Sequence, residues 1–495
     1  MHRSSGLRAR SVVAVAAAAA LALSVPLTSS ATAARPDPIR AAAALAPAGP
    51  DGPVITVDDQ AAFSGVDMAT DPSTGTAYLG WISSNYATQT LRAVHLCVLP
   101  PGASSCAGGV LTTSAVDGPS AAGLQIKVTA PGVATLVWFH QLNLTEARLA
   151  TATYANGVLS GPSDLWVAPS NGKLLDVTDA GGGQLWAVTQ NDASAGRVLH
   201  IQPLVPGAPF TDLVAPWFVG HASLAFAGSK AVLLIGKYGS IGDPLYFASG
   251  APWTAFAPVP KTWTLGEYSD LVTTKHGVRM IGSEANANYR PVVGKWTGSS
   301  FTKPELIGDN ASCPALSHDL VTDGSGRLAD VSERCGKLGI YNLPKTTDAA
   351  IAKFSSGGTI AGAPQISTTT RGYGWVSWAI LSPIQGNRLL VRAVRLPALM
   401  TQKTAKEKDN KVTVTGPVSC LPVVTVRGKL KTDPAKGWDV VSKRLSLDGD
   451  DVNSPVKING ERLAAGSKHV LKGKAVFRRG GQSVTVTERL SFKVC

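Results

Sequence analysis

Charge is scarce in this chain of 495 residues: Asp, Glu, Lys and Arg make up 16% of it, well below the usual share, which excludes a charged disordered segment or a coiled coil as its main content. Methionine occurs four times and aromatic residues make up 6%, against 51 glycines and 32 prolines, and no stretch repeats apolar residues at helical spacing. That pattern argues for short strands and many turns. The six cysteines include no C-x-x-C pair, so neither a redox motif nor a ribbon-type zinc site is written in the sequence. G-x-S-x-G, H-E-x-x-H and the phosphate-binding P-loop are absent, and the eight histidines are scattered. After the first thirty-odd residues no apolar run is long enough to cross a bilayer.

What is present begins with an export signal. Arg3, Arg8 and Arg10 precede an alanine-rich run from Val12 to Val25, and Ala31-Thr32-Ala33 fits the cleavage pattern. Residues 1–33 are therefore expected to be a signal peptide and 34–50 a flexible leader, making the protein secreted, with disulfides favoured outside the cytosol. Order along the chain favours the pairs Cys97–Cys106, Cys313–Cys335 and Cys420–Cys495. Neither metal nor cofactor is expected. "SLDGDDVNS" at 446–454 has calcium-like spacing, but Val452 stands at an oxygen position and Asp448-Gly449 reads better as a hairpin turn.

Net charge is unevenly distributed. From Thr401 onward there are 19 Lys+Arg and 9 Asp+Glu, a balance of +10. The three signal arginines supply the remaining +3 of the total of +13, so residues 34–400 are neutral.

A repeat organises the neutral part. "DPSTGTAYLGW" is a polar turn followed by an apolar strand, and related pieces place turn glycines at 75, 132, 183, 228, 277, 326 and 372. The spacing of roughly 50 residues suits propeller-type repeats. A second apolar element ending in proline follows most of them, as in "VHLCVLPPG" and "LLVRAVRLP". The expectation is an all-β chain: a seven-bladed β-propeller over 51–400, in which "GPVITVDD" completes the last blade, then a polar linker over 401–411. A small, basic immunoglobulin-like β-sandwich over 412–495 follows, with "RRGG" at 478–481 as a hairpin turn. Trp81, Trp138, Trp186, Trp375 and Trp378 fall at strand positions and are expected in the core.

"HLCVLPPGASSC" and "VTDGSGRL", taken with the first repeat, resemble segments of secreted actinobacterial β-propeller proteins, distantly sialidase-like. "GPVSC…SLDGDDV…VC" resembles the basic immunoglobulin-like domain such proteins can carry. The resemblance implies fold and location; it also raises a sialidase-like glycoside hydrolase as an alternative activity. A sialidase requires an arginine triad, a tyrosine nucleophile with its glutamate, and an aspartate acid/base. The early Arg-Ile-Pro is missing, and "VTDGSGRL" carries its glycine one place too late for the family's aspartate box. Glu267 and Tyr268 are adjacent in sequence, so on a strand they point to opposite faces.

The expected function is accordingly a secreted, non-catalytic binding protein. Its propeller would take an extracellular glycan or protein, with Trp217, Tyr268, Tyr289 and Arg290 as candidate ligand-binding residues. A structural spacer in the cell envelope is a third reading. The basic end is expected to bind anionic cell-wall polymers rather than nucleic acid, with Arg478 and Arg479 as candidate contacts, which would place the protein at the cell envelope.

Overall fold

Every regular element among the described residues is a β-strand, and none is a helix. The structure, a computed structural model, describes residues 53–495 except 60–61, 85–91, 117–119, 142–145, 170–172, 192–196, 238–244, 251–252, 260–264, 275–276, 285–289, 304, 307–314, 323–327, 335–336, 344–353, 356–358, 370, 382–387, 397, 399 and 419. These residues all belong to one compact unit, Pro38–Cys495.

Up to Arg395 the strands fall into small antiparallel sheets in which chain order is spatial order, apart from Val158–Leu159, which pairs with Glu146–Ala155 off the main path of the second sheet. The first is Ala62–Thr70, Ala77–Ser84, Arg92–Leu99 and Leu111–Val116. The last departs from this rule. Thr359–Thr368, Tyr373–Leu381 and Arg388–Arg395 receive their fourth strand from Val54–Asp58, at the other end of the sequence. The first strand of each sheet packs against the first strand of the next, and the circuit closes where Thr359–Thr368 meets Ala62–Thr70. This all-β set of small sheets is consistent with a β-propeller.

Burial explains the composition of the strands. The second strand of each sheet lies between two neighbouring sheets, so both faces must be apolar and alternation disappears. "KAVLLIGK" at 230–237 is buried at all six central positions. Trp81, Trp138 and Trp375 are fully buried, and Trp378 nearly so. Trp186 is half-buried beside Phe226, with ring centroids 5.8 Å apart. The repeat glycines at 75, 132, 183, 228, 277 and 372 all have positive φ, the left-handed conformation that tight turns require; position 326 lies outside the described residues.

The C-terminal strands form two further sheets. One contains Met400–Glu407, Asn410–Pro417, Thr425–Asp433 and Val456–Asn459. The other contains Cys420–Leu421, Gln482–Val494, Lys468–Arg479, Asp439–Leu447 and Asp450–Val452. Leu421, Leu445, Ile458, Leu471, Leu490 and Phe492 form one apolar cluster and Val412, Trp438, Phe477, Val484 and Val486 another. The hairpin expected at 478–481 is present: Arg479 pairs with Gln482 across Gly480-Gly481. Asp448 and Gly449, both with positive φ, make the turn expected there.

The polar linker expected over 401–411 is corrected. Met400–Glu407 is an edge strand in hairpin register with Asn410–Pro417, turning at Lys408 and Asp409, both with positive φ. Its lysines and threonines project from an edge that needs little apolar cover and gains protection from charge. The segment thus looks solvated in sequence while being regular in structure.

Cys97 is bonded to Cys106 and Cys420 to Cys495. The pair expected between Cys313 and Cys335 lies outside the described residues. The last sheet of the ring docks onto the C-terminal strands. Arg371 donates to the carbonyl of Gly460 at 3.1 Å, Arg395 donates to the carbonyl of Val423 at 3.2 Å, and Arg395 is ion-paired with Glu461. No helix among the described residues is long and apolar enough to cross a membrane.

Cys420–Cys495 closes a loop of sequence separation 75, whereas Cys97–Cys106 closes one of 9. Loop-closure entropy grows with length, so the C-terminal bond constrains the unfolded chain more. Replacing both Cys420 and Cys495 by Ser is expected to lower unfolding free energy by about 2–5 kcal/mol. The Cys97/Cys106 double variant is expected to lose less. Denaturant titration of the two variants under identical conditions checks the order.

Candidate functional site

The strand that opens each sheet of the ring is an edge strand facing the axis. Some of its amides therefore have no strand neighbour, and each must find another partner. A side chain from the preceding sheet supplies it. Asp67 accepts from the amide of Ile126 at 2.7 Å, Gln125 Oε1 from Val177 at 3.3 Å, and Asp176 from Leu224 at 2.6 Å. Ser223 Oγ accepts from Leu271 at 3.0 Å, and Asp319 accepts from Ile366 at 2.5 Å. Asp270 receives the Ser223 hydroxyl at 2.7 Å. Gln365 occupies the corresponding place in the last sheet of the ring.

A β-bulge lies within two residues before each of these positions, with register shifts at Phe63/Val66, Ala122/Leu124, Leu174/Asp176, Val219/His221, Leu265/Ser269, Ala315/His318 and Ala361/Gln365. The extra residue re-aims the following side chain, as bulges commonly do. Gly123 shows how close the strands come at this level. Its φ is +70°, and a Cβ there would sit 2.6 Å from the carbonyl oxygen of Leu174.

One cation sits among these acids. Lys127 lies two residues beyond Gln125 and so shares its face of the strand. Burial lowers its pKa, but Asp67, Asp176, Asp270 and Asp319 together outweigh burial and hold it above the usual lysine value. The carboxyls respond in the opposite sense. Burial pushes Asp67 up, with Lys127 and the Ile126 and Met68 amides opposing. Burial pushes Asp176 up to about 7, reinforced by Asp270 and opposed by Lys127. At the outer end of the first strand, burial works against Asp71. Hydrogen bonds from the Ser73 hydroxyl, the Gly132 amide and Thr74 nevertheless hold it below the ordinary value.

These carboxylates serve first as acceptors that join sheets. Among the described residues no group of three or more His, Cys, Asp or Glu side chains could hold a metal ion. A serine–histidine contact occurs in the first sheet, with Ser83 Oγ 2.7 Å from His95 Nε2. Burial lowers the His95 pKa, with the charge of Asp58 opposing. Its Nδ1 meets the Thr112 hydroxyl at 3.0 Å, while Asp58 is bonded to Trp81 Nε1 at 2.9 Å. A nucleophile's histidine needs an acceptor that stabilises the imidazolium, and a hydroxyl does this poorly.

The residues singled out from sequence are dispersed. Trp217 is half-buried, its ring edge-on to Tyr246 with centroids 4.1 Å apart. Tyr268 lies in Leu265–Thr274 and Arg290 opens Arg290–Lys295, two strands of one sheet, although nothing is described of either side chain. Tyr289 lies outside the described residues. Arg478 and Arg479 are exposed at the hairpin tip.

The axial residues escaped the sequence reading, although a signal was there. "VDMATD", "LDVTDA", "SDLVTT" and "HDLVTD" share an acid followed by apolar residues and a threonine, at the period of the turn glycines.

The raised carboxyls give a pH dependence whose sign is fixed. Between the unfolded Asp value of about 3.9 and the folded Asp176 value of about 7, the folded protein holds a proton that the unfolded chain does not. Its contribution is present at low pH and is lost as pH rises through that window, at no more than about 1.4 kcal/mol per pH unit. Asp176→Asn keeps an acceptor for Leu224 and removes the titration. Denaturant midpoints measured from pH 5 to 8 should therefore fall less steeply in the variant; equal slopes would contradict the assignment.

No family model matches the chain, and no curated protein matches it. Solved structures do. A protein of unknown function from Dyadobacter fermentans is 11% identical, covering 70% of this chain and 98% of its own at a TM-score of 0.40. The β-propeller domain of the Trilobed protease from Pyrococcus furiosus is 9% identical, covering 67% and 95% at 0.41. An alpha-L-arabinanase from Penicillium chrysogenum, complexed with arabinobiose, is 11% identical, covering 70% and 98% at 0.37. At such identities and scores neither an activity nor a residue role passes to this chain.

Proposed function

We propose that this chain is a secreted, non-catalytic binding protein. It consists of a seven-bladed β-propeller closed by Val54–Asp58 and a basic immunoglobulin-like sandwich that holds it to anionic polymers of the cell envelope. The loops of the propeller face outward to an extracellular glycan or protein, with Trp217, Tyr268, Tyr289 and Arg290 as candidate contacts. Arg478 and Arg479 belong to the polyanion-binding surface.

The observation that carries this reading is the division of charge. The aspartates of the axis are occupied by backbone amides and by Lys127. The excess of cations is confined to 401–495 and stands on solvent-facing strand positions such as Lys474 and Arg478. Exposed charge of one sign on an otherwise neutral protein attracts polyanions over a Debye length of about 8 Å at physiological salt. The alternative, a divergent sialidase-like glycoside hydrolase, needs paired carboxylates free to exchange protons with a substrate. Axial carboxylates committed to amides on the next strand do not support it.

The test is retention on purified bacterial cell walls. The full chain should bind at about 50 mM salt and be released steeply by about 200 mM, as counterion release requires. Replacing Arg478 and Arg479 by Ser should shift release to lower salt. Fluorogenic glycosides should show no turnover. Salt-independent retention would remove the tether, and turnover of a sialoside or arabinoside would replace the binding reading by the enzymatic one.

A further inference from the structure

Strand register brings four cations together on the outer face of the C-terminal sandwich. Arg444, in Asp439–Leu447, stands directly opposite Lys474 in Lys468–Arg479. One row further, Lys472 stands directly opposite Arg489 in Gln482–Val494. Like charges facing each other across an antiparallel pair destabilise a sheet, and here two such pairs occupy adjacent rows. Relief from acids is incomplete. Asp451 pairs with Arg444 at one corner. Asp448, the other nearby acid, accepts from His469 Nδ1 at 2.7 Å and from the Val470 amide at 2.8 Å, so it serves its own hairpin. The four cations line one groove of about 480 Å³ together with Ser446 and the two acids Asp448 and Asp451.

We propose that this groove is a binding site for the tetrahedral oxyanions of a linear phosphate- or sulfate-bearing polymer. The proposal rests on the tether reading above and assigns it a location. Two guanidinium groups, of which Arg444 also pairs with Asp451, and two ammonium groups stand on three neighbouring strands. A tetrahedral group presents oxygens in several directions and can be shared among them, whereas a planar carboxylate satisfies one fork at a time.

The length of the site follows from the same strand. Leu471, Gly473, Ala475 and Phe477 are buried, so Lys472, Lys474, Val476 and Arg478 face outward in line. That stripe runs about 20 Å, at about 3.3 Å per residue, from the groove to the hairpin tip. A repeating anion can occupy its whole length. On these two strands the outward residues are cationic, aliphatic, hydroxylated or amide-bearing, with Asp439 opposite Arg478 on the third strand, a face without the stacking platform that single-stranded nucleic acid uses.

The test uses the full chain and three probes: inorganic polyphosphate, heparin and polygalacturonate, compared at equal charge concentration by titration calorimetry. Lys472→Ser with Lys474→Ser is compared with a charge-matched control, Lys429→Ser with Lys431→Ser, whose side chains are exposed on the other sheet. Affinity for polyphosphate or heparin should fall roughly tenfold or more in the first variant, which loses two charge-assisted contacts, and by less than about threefold in the second. The thermal midpoint of the first variant should be no lower than that of the parent, since repulsion is relieved; this separates loss of a site from loss of fold. Whichever of the two preferred probes binds more tightly identifies phosphate or sulfate as the source. Equal losses in the two variants would overturn the groove while leaving the tether. Binding of polygalacturonate as tightly as the other two would overturn the tetrahedral preference. Absence of binding to every probe by the parent chain would remove the tether reading itself.

Discussion

A hydrogen bond from the edge of one sheet to a side chain of the sheet before it is the constraint on which the rest of the ring depends. Small sheets arranged about an axis leave each innermost strand with amides that no strand can reach. Asp67, Gln125, Asp176, Ser223 and Asp319 each reach across to one of these amides in the following sheet. Leaving such a buried donor unsatisfied costs about 1–3 kcal/mol, comparable to a large share of a protein's net stability when repeated several times. The bulge before each residue is the local distortion that aims the side chain, and the glycine at 123 permits the approach.

The use of acids for this purpose creates a second requirement. Several carboxylates around one axis repel each other, and burial disfavours their charge. Lys127 answers from within the same ring, and Asp176 remains close enough to protonation to titrate near neutrality. Exposed cations, Lys474, Arg478 and Arg479 among them, stand instead on the C-terminal strands. Arg371 and Arg395 fasten the C-terminal sheets to the ring through Gly460, Val423 and Glu461.

Local signals were legible in the sequence. The turn glycines at 75, 132, 183, 228, 277 and 372, the closing strand Val54–Asp58, the Asp448-Gly449 turn and the Arg-Arg-Gly-Gly hairpin are each specified by a few adjacent residues, and each is found where expected. Features built from distant strands were not. The axial position is Asp, Gln or Ser because any oxygen acceptor suffices, so residue identity varies while geometry is kept. Residues 401–411 looked like a linker because an edge strand tolerates exposed Lys and Thr on both sides. The four groove cations are separated by up to 45 positions and converge only through register. Trp217 stood out in sequence as an aromatic in a loop, yet its ring packs edge-on against Tyr246.

Amide hydrogen exchange at the axis tests this account most directly. If the acceptor side chains hold the sheets together, the amides of Ile126, Leu224 and Ile366 should exchange only through global unfolding. Asp67→Ala should then release Ile126 selectively while Leu224 and Ile366 keep their protection relative to the variant's own global stability. Fast exchange of these three amides in the parent protein, at the rate of exposed turns, would contradict the central role given to the axial bonds.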